Sequence, residues 1–165
     1  MSYEAKLASM GYKIEPTDPL DNGKFVAAVR TGDLVFTSGQ VSVWGDKTIK
    51  GKVGGDVSQE EAIEAARFCT LNNLRAVKAV VGSLDNIVRV VKVLGMVNVA
   101  PGFDATPAVI HGCSDFLREV FGDAGRHARS AVGMTLPLNY AVEIEMVFEV
   151  RGDRTAAAQP SEQGC

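Results

Sequence analysis

The run NIVRVVKVLGMVNVA, residues 86–100, limits the possible folds more than any other stretch, because it is dense in valine and broken only by Arg89, Lys92 and Gly95. β-Branched residues in such a run favour a strand over a helix, and a strand this apolar is expected to be buried over most of both faces. Whatever surrounds it must therefore cover two sides of a sheet.

The helices available for that cover are few. Ser58 with Glu61 three residues later forms a capping-box pattern, so a helix should start there and run to about Val81, before Gly82. Its Ala62, Ala65, Ala66, Ala76 and Ala79 keep the surface low for close packing, with Ile63, Leu74, Val77 and Val80 filling gaps. A second helix is announced by Thr106 as cap and Pro107 at the first position. Val109, Ile110, Cys113, Phe116, Leu117, Val120 and Phe121 fall on one face of it, and His111, Ser114, Asp115 and Arg118 on the other.

The remaining strands are short. KFVAAVRTGDLVFTSGQ reads as a hairpin around Thr31-Gly32-Asp33, with the second strand ending at Ser38-Gly39-Gln40. ARSAVGM and the alternating YAVEIEMVFEV complete the set. The order is β-β-α-β-α-β-β, an α+β fold with a mixed sheet and two helices packed on one face. Two helices cover one face only, so self-association is the economical way to cover the other. MSYEAKLASMG suggests a short opening helix over residues 1–11, and the tail from residue 152 is expected to be flexible, leaving one domain over 1–151.

The 17 Lys and Arg against 20 Asp and Glu give a net charge of −3, which offers no general attraction to nucleic acid or an acidic membrane. Three cysteines, Cys69, Cys113 and Cys165, form no Cys-x-x-Cys pair, so a reduced, cytoplasmic setting is the simpler expectation. Cys69 and Cys113 read as small core residues. His111 and His127 lack metal-ligand spacing and read as solvated or locally bonded. GKVGGD lacks the Lys-Ser/Thr of a phosphate loop. Arg129, Glu143 and Glu145 stand where hydrophobic strands are expected, and on the residues alone a structural ion pair between adjacent strands is the favoured reading. Ser38 alone reads as a turn residue.

SGQV, NNLRAVKAVVGSLDNIVRVVKVLGMVNVAPGF, EVFGDAGRHARSAVG and LPLNYAVEIE occur in an order and spacing that resemble the reactive intermediate deaminase family, the RidA or YjgF-type proteins, in its longer subgroup. The resemblance runs from about Gly23 to Val150. It implies a chorismate-mutase-like α+β fold, a homotrimer with clefts between subunits, and hydrolysis of small enamines or imines, such as 2-aminoacrylate, to oxo acids and ammonia. No metal or organic cofactor is implied.

Carried over by position, the family's substrate-binding arginine falls on Arg129, whose planar fork suits a carboxylate. Its glutamate after Leu-Pro falls on Glu143, as the group that orders water or passes a proton. Ser38 matches the serine of the SGQ turn, with the Gly39 backbone close to the ligand. Ala131 stands where many members have cysteine, so the role implied there passes to its backbone carbonyl. Phe25 stands where many have tyrosine and leaves an apolar wall. His111 lies near the position of a family asparagine. With the resemblance, the substrate clamp becomes the preferred reading of Arg129. A non-catalytic trimer binding small carboxylates is the alternative, and endoribonuclease activity, a label attached to some members, is the third.

Overall fold

The protein is described from a computed structural model that covers residues 2–17 and 24–151. Helix α1 (Tyr3–Ser9) is followed by the hairpin β1 (Ala28–Thr31) and β2 (Leu34–Thr37), then by three two-residue strands, β3 (Gln40–Val41), β4 (Val43–Trp44) and β5 (Lys47–Thr48). Helix α2 (Gln59–Val81), β6 (Ile87–Asn98), α3 (Thr106–Phe121), β7 (Ala128–Met134) and β8 (Val142–Val150) complete the chain. The main elements therefore follow the expected order, with three short strands inside the stretch read as a glycine-bearing connection. The expected tail and Cys165 lie outside the described residues.

The main sheet runs β1-β2-β8-β6-β7, with β3 also on β8. It is mixed, since β6 and β7 are parallel and the other pairs antiparallel. Thr31 pairs with Leu34 across a two-residue turn in which Gly32 takes φ +57°, a conformation that costs glycine little. The Ser58–Glu61 capping box forms as the spacing predicts, and Gly82 closes α2. Thr106 does not cap α3: Ala105 holds the cap position, and the Thr106 hydroxyl donates to the Ala131 carbonyl at 3.1 Å.

Helices α2 and α3 pack on one face of the sheet. Val93, Val97, Ile144, Met146 and Phe148 meet the alanine-rich face of α2 and the Val109, Ile110, Phe116 and Leu117 face of α3. Both Cys69 and Cys113 are fully buried here, and burial pushes the Cys113 thiol up to about 12 and Cys69 well above its ordinary range. They are core groups and not thiolate nucleophiles.

The other face is open among the described residues. Val29 and Phe36 are 53% and 44% exposed, and Val132 is 38% exposed. The expectation that residues 86–100 are buried on both faces is corrected: Val88 is exposed, and Leu94 and Met96 are half-buried. Among the described residues, helices cover one side only.

Candidate functional site

Between the pairs Phe36–Val147 and Gln40–Ile144, three residues of one strand oppose two of β8, so the chain bulges at Ser38 and Gly39. A buried polar network holds the bulge. The Thr37 hydroxyl meets Asn73 Oδ1 of α2 and accepts from the Met146 amide at 2.9 Å, while Asn73 Nδ2 donates to the carbonyls of Cys69 at 2.8 Å and Ile144 at 3.0 Å. Every polar atom of the Thr37 and Asn73 side chains thus has a partner, as fully buried polar groups require.

The bulge turns Gly39 toward Glu143. A Cβ added at Gly39 would collide with Glu143 Oε1, so the carboxylate lies directly on the Gly39 backbone. Burial, with Glu145 beside it on the same strand face, holds the Glu143 pKa above the usual carboxylate range. Ser38 joins this group, but its hydroxyl proton is committed to the Val26 carbonyl at 2.6 Å. That bond ties the segment carrying Phe25, itself 58% exposed, to the bulge.

Arg129 belongs to a second cluster. It pairs in register with Val93, and Ala131 pairs with Gly95, where a side chain would run into Ile110 of α3. These positions face the helices. Arg129 Nη1 donates to Ser114 Oγ of α3 at 3.2 Å, Ser114 Oγ lies 3.0 Å from His127 Nε2, and His127 Nδ1 lies 2.7 Å from the Gly125 carbonyl. Burial, assisted by the Arg129 charge, lowers the His127 pKa below its ordinary value. Met134 accepts from the Val99 amide, so by alternation the backbone groups of Arg129 and Ala131 point away from β6, toward the edge of the sheet.

The two clusters lie on opposite faces. Glu143 and Glu145 pair with Met96 and Leu94, on the side away from the helices, whereas Arg129 lies on the helix side, and β6 separates β7 from β8. The structural ion pair favoured on residues alone is therefore excluded. Among the described residues Arg129 forms no salt bridge at all. Ser38, Gly39 and Glu143 come together; Arg129 and Ala131 come together elsewhere.

His127 is locally bonded, one of the two states expected of it, but its link to Ser114 was not foreseen, and neither was the turn before β8. The Ser114 partner comes from α3, an element distant in sequence. The turn before β8 holds Leu138 and Asn139 at φ +53° and +61°, a conformation rare for residues with side chains. Asn139 is fixed there by Asn98 Nδ2 at 2.9 Å and by the Gly51 amide at 2.8 Å. His111 is exposed on α3 and touches neither cluster.

A mixed sheet with two helices on one face, a bulged strand carrying a half-buried carboxylate, and an arginine at the parallel edge define a class of α+β proteins. Residues 4–150 match the model of the family described as "YjgF/chorismate_mutase-like, putative endoribonuclease", and the chain belongs to it. The chain is 36% identical over 151 residues to Protein TCP17 of Trypanosoma cruzi, covering 88% of this chain and 92% of that one. It is 37% identical to the crystal structure of Atu1372, a protein of unknown function from Agrobacterium tumefaciens, with a TM-score of 0.81 over 90% of this chain and 92% of that one. E. coli TdcF with bound serine is 26% identical, with a TM-score of 0.54 over 86% of this chain and 100% of that one. Among the described residues no helix is long and apolar enough to cross a membrane.

Proposed function

We propose that the protein hydrolyses small enamines and imines of carboxylic acids, 2-aminoacrylate or related 2-imino acids, to 2-oxo acids and ammonia. It does so as a homotrimer whose sites lie between chains. The observation that carries this reading is the division of the site: a guanidinium with no ion pair among the described residues at one sheet edge, and a carboxylate of raised pKa on the opposite face. Neither half suffices alone, and a neighbouring chain that covers the open apolar face can bring its own half to the other.

The chemistry then follows from charge. Arg129 grips the substrate carboxylate through charge-assisted hydrogen bonds and fixes the C2 carbon. Glu143, whose acid form is favoured by burial and by Glu145, gives a proton to the methylene carbon of 2-aminoacrylate, turning the enamine into an iminium. The resulting carboxylate takes a proton from water as the oxygen attacks C2. Glu143 passes that proton to the carbinolamine nitrogen and then takes the hydroxyl proton as the C–N bond breaks and the C–O bond becomes a carbonyl, so ammonia and the 2-oxo acid leave and Glu143 ends protonated as it began. Ser38, whose proton is held by Val26, offers its lone pairs to the substrate N–H. The Ala131 carbonyl keeps one lone pair for water beside the bond from Thr106. The serine found in TdcF, an amino acid with a free carboxylate, supports a small carboxylated ligand here.

Binding without turnover is the second reading, favoured by Ala131 and Phe25, which supply neither a thiol nor a phenol. RNA cleavage would have to work against a net charge of −3. The test is oxo-acid release from enzymatically generated 2-aminoacrylate and from branched and aromatic 2-imino acids. Acceleration by the wild type, lost in Arg129→Ala, supports the hydrolase; oxo-acid binding with no acceleration for any substrate supports the binder.

A further inference from the structure

The chain Gly125–His127–Ser114–Arg129 joins a strand, a helix and a loop through three hydrogen bonds that have a single consistent direction. The Gly125 carbonyl can only accept, so His127 Nδ1 must carry the proton across the 2.7 Å contact. In a neutral ring Nε2 is then an acceptor, and the Ser114 hydroxyl donates to it at 3.0 Å. With its proton so directed, Ser114 Oγ turns a lone pair to Arg129 Nη1 at 3.2 Å. Ser114 lies on the helix that packs against the core through Cys113, Phe116 and Leu117, so the anchor is rigid.

We infer that Ser114 and His127 are positioning residues for Arg129: His127, in its Nδ1–H tautomer, orients the Ser114 hydroxyl, which holds one guanidinium nitrogen and leaves the others free for a carboxylate ligand. This rests on the proposed clamp role of Arg129. An arginine side chain loses considerable rotamer freedom when it clamps a ligand, and a fixed Nη1 removes part of that cost before the ligand arrives. The arrangement also explains why a histidine two residues before the arginine is useful: His127 lies just before β7 and Arg129 within it, and both reach Ser114 of α3.

The experiment measures calorimetric affinity for pyruvate, the oxo acid from 2-aminoacrylate, and steady-state kinetics with 2-aminoacrylate, in wild type, Ser114→Ala, His127→Ala and His127→Gln. Glutamine can present its amide oxygen where Nε2 stood. Imidazole ¹⁵N spectra, simple with two histidines in the sequence, report the tautomer. The inference expects an Nδ1–H His127, pyruvate affinity weakened roughly tenfold in Ser114→Ala and His127→Ala, and KM raised far more than kcat falls. It expects His127→Gln to stay within about threefold of wild type. An Nε2–H tautomer, or full affinity in a folded Ser114→Ala, overturns the positioning role. A wild type that binds pyruvate yet turns nothing over overturns only the hydrolase reading. A wild type that does not bind pyruvate overturns the clamp and this inference together, whatever the tautomer.

Discussion

The carboxylate of Glu143 occupies the space into which residue 39 would project a Cβ, so Gly39 and Glu143 form one steric unit on the open face of the sheet. Gly39→Ala should displace the carboxylate and reduce turnover about as much as loss of the carboxylate itself. In a double-mutant cycle with Glu143→Ala the two effects should be strongly non-additive, since the shared contact is removed once. Additive losses would show that Gly39 acts elsewhere.

Glu143→Gln keeps the shape and removes the titrating group. Turnover of 2-aminoacrylate should fall by about 100-fold or more, while affinity for pyruvate should change little if, as proposed, Arg129 holds its carboxylate. Unchanged turnover would favour a site that binds without catalysing.

Asn73 holds the bulge through Thr37 and two backbone carbonyls, at a position with no solvent access. Asn73→Leu should cost roughly 2–4 kcal/mol in urea unfolding, because buried groups of Thr37 and β8 lose their partner. A loss under about 0.5 kcal/mol would show that water or repacking satisfies them.

His127 imposes a pH dependence with a definite sign. Burial and Arg129 lower its folded pKa below the ordinary 6.5, so the unfolded chain takes up the proton first. Its stabilising contribution is complete above the unfolded pKa and is lost as pH falls through the folded one. Glu143, raised, works in the opposite sense at lower pH. Arg89, Asp123, Arg126 and Glu149 border the groove beside His127. Urea unfolding from about pH 7.5 down to 5 should show stability falling in the wild type and a shallower slope in His127→Gln; equal slopes would mean that His127 is not held neutral.

Much of the fold was legible because the elements carry local signals: the capping box of α2, the glycine turn at Gly32, and the strict alternation of β8. Strands β3, β4 and β5 were not, since two residues carry no periodicity. Nor was the burial of Leu94 and Met96, which depends on what lies opposite and not on their own hydrophobicity. The residue-only pairing of Arg129 with Glu143 failed for a topological reason: β6 inserts between strands that follow each other in sequence. Thr106 looked like a cap by residue type, yet its hydroxyl serves Ala131, a contact between distant segments. Ser114 and Asn73 were hidden for the same reason, as polar residues on helices whose partners are known only once the sheet is placed.

The central claim is that Arg129 and Glu143 work together only across two chains. Arg129→Ala and Glu143→Gln chains, each expected to be inactive alone, should be unfolded together, refolded as mixed assemblies and assayed with 2-aminoacrylate. If each site takes its arginine from one chain and its glutamate from the next, random mixing in equal amounts should restore about a quarter of wild-type activity. No recovery in mixtures shown to contain hetero-assemblies would contradict the account.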